Sequence, residues 1–85
     1  MIQIKGGNGS TKEKAIRIIG ADTELQGIDV EFNYMEGKVG YFEIESQTFL
    51  DEGNKKYDCM NVVGVTGNKK ELWFDITDYY GKEDE

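Results

Sequence analysis

Three observations predict an α+β fold for this chain, with a single helix packed on a small antiparallel sheet. Apolar residues between 22 and 39 recur at three- and four-residue spacing, as they do on one face of a helix. Between 41 and 77 the pattern changes to alternation, broken twice by turn-forming clusters, as in a three-stranded meander. With 85 residues there is room for one domain, 1–85, and one modest core.

The elements follow in order. Gly6-Gly7-Asn8-Gly9-Ser10-Thr11 is a loop, and Ser10 followed by Glu13 has the spacing of a capping box for a short helical turn. Ala15 to Ile19 reads as a short N-terminal strand, β-branched and apolar except at Arg17, closed by Gly20 and suited to the inside of a sheet. A helix is expected at about 22–36, capped by Asp22 or Thr23 and ended by Gly37. Its inward stripe would be Leu25, Ile28, Phe32, Met35 and Val39, with Val30 and Tyr34 facing outward. A second periodicity competes with this one. Ile28 to Tyr34 alternates strictly, and pairing 28–34 with 40–46 would give an all-β small barrel or roll instead.

The meander strands fall at about 41–50, 57–66 and 71–77. Phe42, Ile44 and Leu50 are placed on one face of the first, with Glu43, Glu45 and Gln47 on the other. Asp51-Glu52-Gly53-Asn54 and Gly67-Asn68 supply the two turns. Thr77 or Asp78 can cap a last turn at Tyr79-Tyr80, ended by Gly81, and residues 82–85 read as a frayed tail.

Composition excludes several classes of chemistry. The chain has no His and one Cys, so it can form neither a His-activated nucleophile pair, nor a His-containing or Cys-cluster metal site, nor an internal disulfide. The lone thiol, with no apolar leader at the N-terminus, predicts a cytoplasmic protein. A net charge of −7 argues against nucleic acid and anionic membrane as partners. That charge is concentrated. Residues 21–54 carry nine acids against Lys38, or −8, while 1–20 stand at +3 and 55–85 at −2.

The ending Phe74-Asp75-Ile76-Thr77-Asp78-Tyr79-Tyr80-Gly81-Lys82, together with Tyr57-Asp58, resembles a group of small uncharacterised bacterial proteins. They share a tyrosine–aspartate pair, a hairpin and a closing F-D-I-T-x-aromatic-aromatic-G-K segment. Glu31, Phe32, Tyr34 and Gln47 fit the same pattern. The resemblance implies a helix over the segment containing Glu31 and implies no activity.

Individual sites read mainly as structural. The glycine loop lacks P-loop spacing, and Cys59 has no base or helix N-terminus that would activate it. Asp51-Glu52 lacks calcium-loop spacing, and Glu43 with Glu45 suits a solvated strand face. Asp75 is expected to cap the last turn or to pair with Lys69, Lys70 or Lys82. The expectation is therefore a non-catalytic protein-binding or regulatory, inhibitor-like module without cofactor or metal. Its surface would be Glu31, Tyr34, Glu36, Tyr41 and Trp73, meeting a basic partner or, through Trp73, a second copy. The alternative is a small-ligand or anion-binding domain using the glycine loop or Asp75.

Overall fold

A computed structural model describes residues 1–82 and shows an α+β fold: one helix on a five-stranded mixed sheet. The elements are β1 (Gln3–Gly6), a 3-10 turn (Lys12–Lys14), β2 (Ile16–Ile19), α1 (Glu24–Val39), β3 (Phe42–Asp51), β4 (Lys56–Gly64) and β5 (Lys69–Asp75). The sheet order is β1-β2-β5-β4-β3. The meander β3-β4-β5 is present and antiparallel. It is extended by β2, which pairs parallel to β5, and by β1, which pairs antiparallel to β2. The three-stranded sheet expected from sequence is thus too small by β1 and by the incorporation of β2. Gln3–Gly6 is four residues long with every side chain exposed, so it leaves no burial periodicity to read.

The helix excludes the all-β alternative. Thr23 caps it, its hydroxyl accepting from the Gln26 N–H, while Gln26 Oε1 accepts from the Asp22 N–H. It runs past Gly37 and stops at Gly40, where φ is +73°.

The helix is rolled about its axis relative to the expected stripe. Gly27, Glu31 and Met35 are its buried residues, and Val30, Tyr34 and Val39 pack against the core. Leu25 and Phe32, placed inward by periodicity, are exposed. The cause lies outside the helix: the Tyr79 ring packs so closely on Gly27 that an added Cβ would lie 2.5 Å from it. This close approach puts Gly27 and, one turn on, Glu31 at the centre of the contact.

Register sorts the sheet into two faces. Ile16, Phe74, Asp58 and Phe49 are directly opposed across four strands, as are Leu72, Met60 and Gln47 across three. These residues, with Ile18 and Val62, face the helix, and Ile16, Ile18, Met60, Val62, Leu72 and Phe74 among them build the core. The other face carries Arg17, Asp75, Tyr57 and Leu50 in one row and Trp73 with Cys59 and Thr48 in the next. A bulge between Ile44 and Ser46 shifts the register of β3. One extra residue reverses the alternation beyond it, so Gln47 and Phe49 join Phe42 and Ile44 on the helix side and Leu50 moves to the other. The face assignment expected for Gln47 and Leu50 is corrected by that single residue.

The C-terminal turn is fastened at several points. Tyr79 and Tyr80 N–H groups donate to the Ile76 carbonyl, the Asp78 carboxylate accepts from the Gly20 N–H, and Glu24 N–H donates to the Lys82 carbonyl. Lys82, read as tail, is held by these bonds and by its ammonium on the Ala21 carbonyl; the rest of that tail, 83–85, lies outside the described residues. Asp75 is structural, as expected, with a different cation. Its Oδ1 accepts from Thr77 N–H and Oγ1–H, and its Oδ2 pairs with Lys55 at 3.4 Å. Burial pushes the Asp75 carboxyl up, but the Thr77 hydrogen bonds and the Lys55 charge outweigh it, and the net shift is downward. Among the described residues no helix is long and apolar enough to cross a membrane.

Candidate functional site

The residues chosen from sequence separate into three places. Glu36 and Tyr41, both exposed, line a groove with Phe32, Phe42, Glu43 and Ile44 between α1 and the start of β3. Trp73 is half-buried on the opposite sheet face, with its ring edge-on to Tyr57 and its Nε1–H donating to Glu71. Tyr34 does not face outward; it packs edge-on against Phe74, with 6.0 Å between ring centroids. Glu31 is the clearest correction. Chosen as a surface acid, it is 0% exposed, because the roll of the helix turns it onto the sheet.

The burial of Glu31 creates the most distinctive chemical environment in the molecule. It projects from the middle of α1 into a cavity of about 320 Å³ between the helix, the helix-side face of β3 and β4, and the closing turn. Ile28, Phe32, Phe49, Met60, Ile76 and Tyr80 form its apolar walls; Glu24, Glu31, Gln47, Asp58 and Tyr79 bring polar groups to it. Three of the polar groups are placed by features of the fold already described. Tyr79 comes from the fastened turn and reaches over Gly27. Asp58 faces the helix because it is registered with Phe74 and Phe49, and Gln47 does so because of the bulge.

The hydrogen bonds are unequal on the two Glu31 oxygens. Oε1 accepts from the Tyr79 hydroxyl. Oε2 is fully buried and meets no donor among the described residues. Asp58 lies beside Glu31 and raises its carboxyl, and Gln47 acts on Asp58 in turn. Two ionised carboxylates can only accept, so any bond between Glu31 and Asp58 requires a proton, and Oε2 is the oxygen of Glu31 free to carry it.

Electrostatics favour the protonated form of Glu31. Burial, reinforced by the Asp58 charge and only partly opposed by the Tyr79 hydroxyl, pushes the Glu31 carboxyl up to about 8 from its ordinary 4.5. Asp58 is also raised, chiefly by burial, with the bonds from Glu31 and Gln47 acting against the shift. The Tyr79 hydroxyl is raised by burial and by Glu31, and stays protonated as a donor. The arrangement therefore favours a protonated Glu31 carboxyl at neutral pH, beside Asp58 and facing an apolar cavity.

The other sequence candidates are closed. In the glycine loop, Gly7 N–H donates to the Ala15 carbonyl, Gly9 N–H to the Lys14 carbonyl and Ser10 N–H to Asn8 Oδ1, while the Gly9 carbonyl accepts from Trp73 N–H. Lys12 pairs with Glu52 at 2.5 Å. The loop therefore clasps β5 at Trp73, just before the residues that pair with β2, and these amides point at the protein's own oxygens. Burial pushes the Cys59 thiol up, which keeps it neutral. Among the described residues no group of three or more His, Cys, Asp or Glu side chains is placed to hold a metal ion.

Sequence reasoning missed Asp58, Gln47 and Tyr79 as a group. Asp58 carried a readable signal, an acid leading into the apolar run Cys59-Met60 in a strand. The convergence of the three depends on a bulge and on a turn packing across the fold, neither of which has a local signature. Comparison with protein-family models, with curated proteins and with solved structures found no match.

Proposed function

We propose that this protein is a non-catalytic binding module whose acidic β3 edge receives a basic, extended segment of a partner protein. One observation carries the reading. β3 is the last strand of the sheet, ten residues long, with eight side chains exposed and, among the described residues, no strand paired to its outer edge. Such an edge is a template for strand addition, and it is normally blunted when it has no use. Here it is flanked by the groove of Phe32, Tyr41, Phe42 and Ile44, which can receive alternate side chains of an added strand. The charge around it comes from Glu36, Glu43 and Glu45, with Lys69 offsetting Glu45 at 3.6 Å. An incoming chain of alternating basic and apolar residues matches both features. Trp73 takes no part in this surface, because its ring already packs on Tyr57 of the neighbouring strand and its indole N–H donates to Glu71 of its own. The same reading places the protein in a reducing cytoplasm, supported by Cys59 as a lone buried thiol.

The test is a titration of the isotope-labelled protein with a short alternating lysine–valine peptide, followed by NMR. Shifts are expected along β3 and at Tyr41 and Phe32, weakening with salt and in the double variant Glu36→Lys, Glu43→Lys. Equal binding of an acidic peptide, or shifts confined to the Trp73 face, would refute it.

A further inference from the structure

We propose that the Glu31–Asp58 cavity is a binding site for a small organic ammonium ion, a protonated primary amine carried on a short apolar stem. The proposal is independent of the strand-edge reading and stands on the geometry of the cavity.

Three features converge on that ligand class. First, Glu31 is fully buried yet presents Oε2 without a donor, so its ionised form lacks a partner that a ligand could supply. A buried acceptor left without a donor is destabilising, most of all when charged, so the site gains by receiving one. Second, the cavity lining is one-signed. Glu24, Glu31 and Asp58 are acids, and among the described residues no Lys or Arg lines the cavity. A cation is favoured there and an anion is excluded. Third, the remaining wall is Ile28, Phe32, Phe49, Met60, Ile76 and Tyr80, which suits hydrocarbon or an aromatic ring but not a hydrated inorganic ion. The volume of about 320 Å³ equals roughly ten waters of liquid, enough for a small amine and too little for a nucleotide-sized ligand.

The donor count also matches. A primary ammonium has three N–H groups, and the cavity offers Glu31 Oε2, an Asp58 oxygen and the Gln47 side-chain carbonyl as acceptors. Binding replaces the proton held by Glu31 with the ammonium, so one proton leaves to solvent as the amine enters. The titratable groups facing Glu31 are Glu24 on α1, Asp58 on β4, and Tyr79 and Tyr80 on the closing turn; β3 contributes only neutral Gln47 and Phe49. Of these, Glu31 sets the proton release, and affinity should rise about tenfold per pH unit from pH 6 to 7, levelling near 8.

The test uses n-pentylamine and, as its peptide-borne counterpart, Nα-acetyl-lysine methylamide, with pentanol and pentanoate as the neutral and anionic isosteres. Expected are saturable NMR shifts at Glu31, Gln47, Asp58 and Tyr79 with at least one amine, neither isostere competing, and close to one proton released by calorimetry in two buffers. Tighter binding of the free amine would identify a metabolite-like source, and tighter binding of the lysine derivative a partner's side chain. Glu31→Gln, and Asp58→Asn should the first fail to fold, should weaken binding at least tenfold, while Glu71→Gln on the far face leaves it unchanged. Pentanol binding as well as pentylamine, unaltered affinity in the folded Glu31→Gln variant, or no shift with either amine at about 10 mM, tenfold above a ~1 mM dissociation constant, would overturn it.

Discussion

Replacing Glu31 by Gln should flatten the pH dependence of this protein's stability between pH 5 and 8. In the folded chain the Glu31 carboxyl keeps its proton to about pH 8, whereas in the unfolded chain it releases it near 4.5. Between those values the folded state binds more protons, so stability is full below about 4.5 and declines by about 1.4 kcal/mol per pH unit until 8. The whole loss is on the order of 4–5 kcal/mol, comparable with the total stability of a domain of this size. Asp58, also raised, adds to the decline. Asp51, lowered by its Lys56 hydrogen bond, and Asp75, lowered on balance by Thr77 and Lys55, act oppositely and stabilise only above their unfolded value of 3.8. The native protein should therefore be most stable near pH 4–5, an unusually acidic optimum. In the Gln variant the side-chain amide can donate to Asp58, so the profile from pH 5 to 8 should flatten and the variant should be more stable at pH 8 by several kcal/mol. Urea denaturation at unit pH intervals measures this directly. A native profile that is level or rising between pH 5 and 8 would refute the reasoning.

Further expectations follow from the same contacts. Tyr79→Phe removes the donor to Glu31 Oε1 and should cost about 1.5–3 kcal/mol in urea melts at pH 5, while pushing the Glu31 titration higher still. Gly27→Ala places a Cβ 2.5 Å from the Tyr79 ring and should destabilise by about 1–2 kcal/mol. Gly37→Ala, with nothing within 4 Å of the new Cβ, should instead stabilise by about 0.5–1 kcal/mol; thermal melts of the pair check whether helix packing is set at Gly27. Gly9→Ala combines a φ of +81° with a contact of 2.6 Å to Ile16 Cδ1, so it should loosen the loop from β5, seen as faster exchange of the Trp73 amide.

The class of the fold could be read from residues because helix and meander each had a period, caps and turn chemistry in agreement. Thr23, Gly67-Asn68 and the alternation of Leu72, Phe74 and Ile76 all mark local events. β1 was invisible because it buries nothing. The roll of α1 was invisible for a different reason. Periodicity locates an apolar stripe, but Tyr79, 48 residues beyond Glu31, decides which side of the helix meets the sheet. The bulge at Ile44/Ser46 likewise moved Gln47 to the helix side without any Gly to announce it. The candidate site consists of just those residues whose direction is set over long range, so its members could be named singly while their meeting could not.

Glu31 keeps its proton at neutral pH beside Asp58, in a cavity lined by no Lys or Arg among the described residues. Side-chain carboxyl NMR of the ¹³C-labelled protein, titrated from pH 3 to 9 without added amine, tests it most directly. The Glu31 carboxyl should change state near pH 8, with Asp58 titrating above its ordinary 3.8. A Glu31 carboxyl that ionises near 4.5 while the fold is intact would contradict the account.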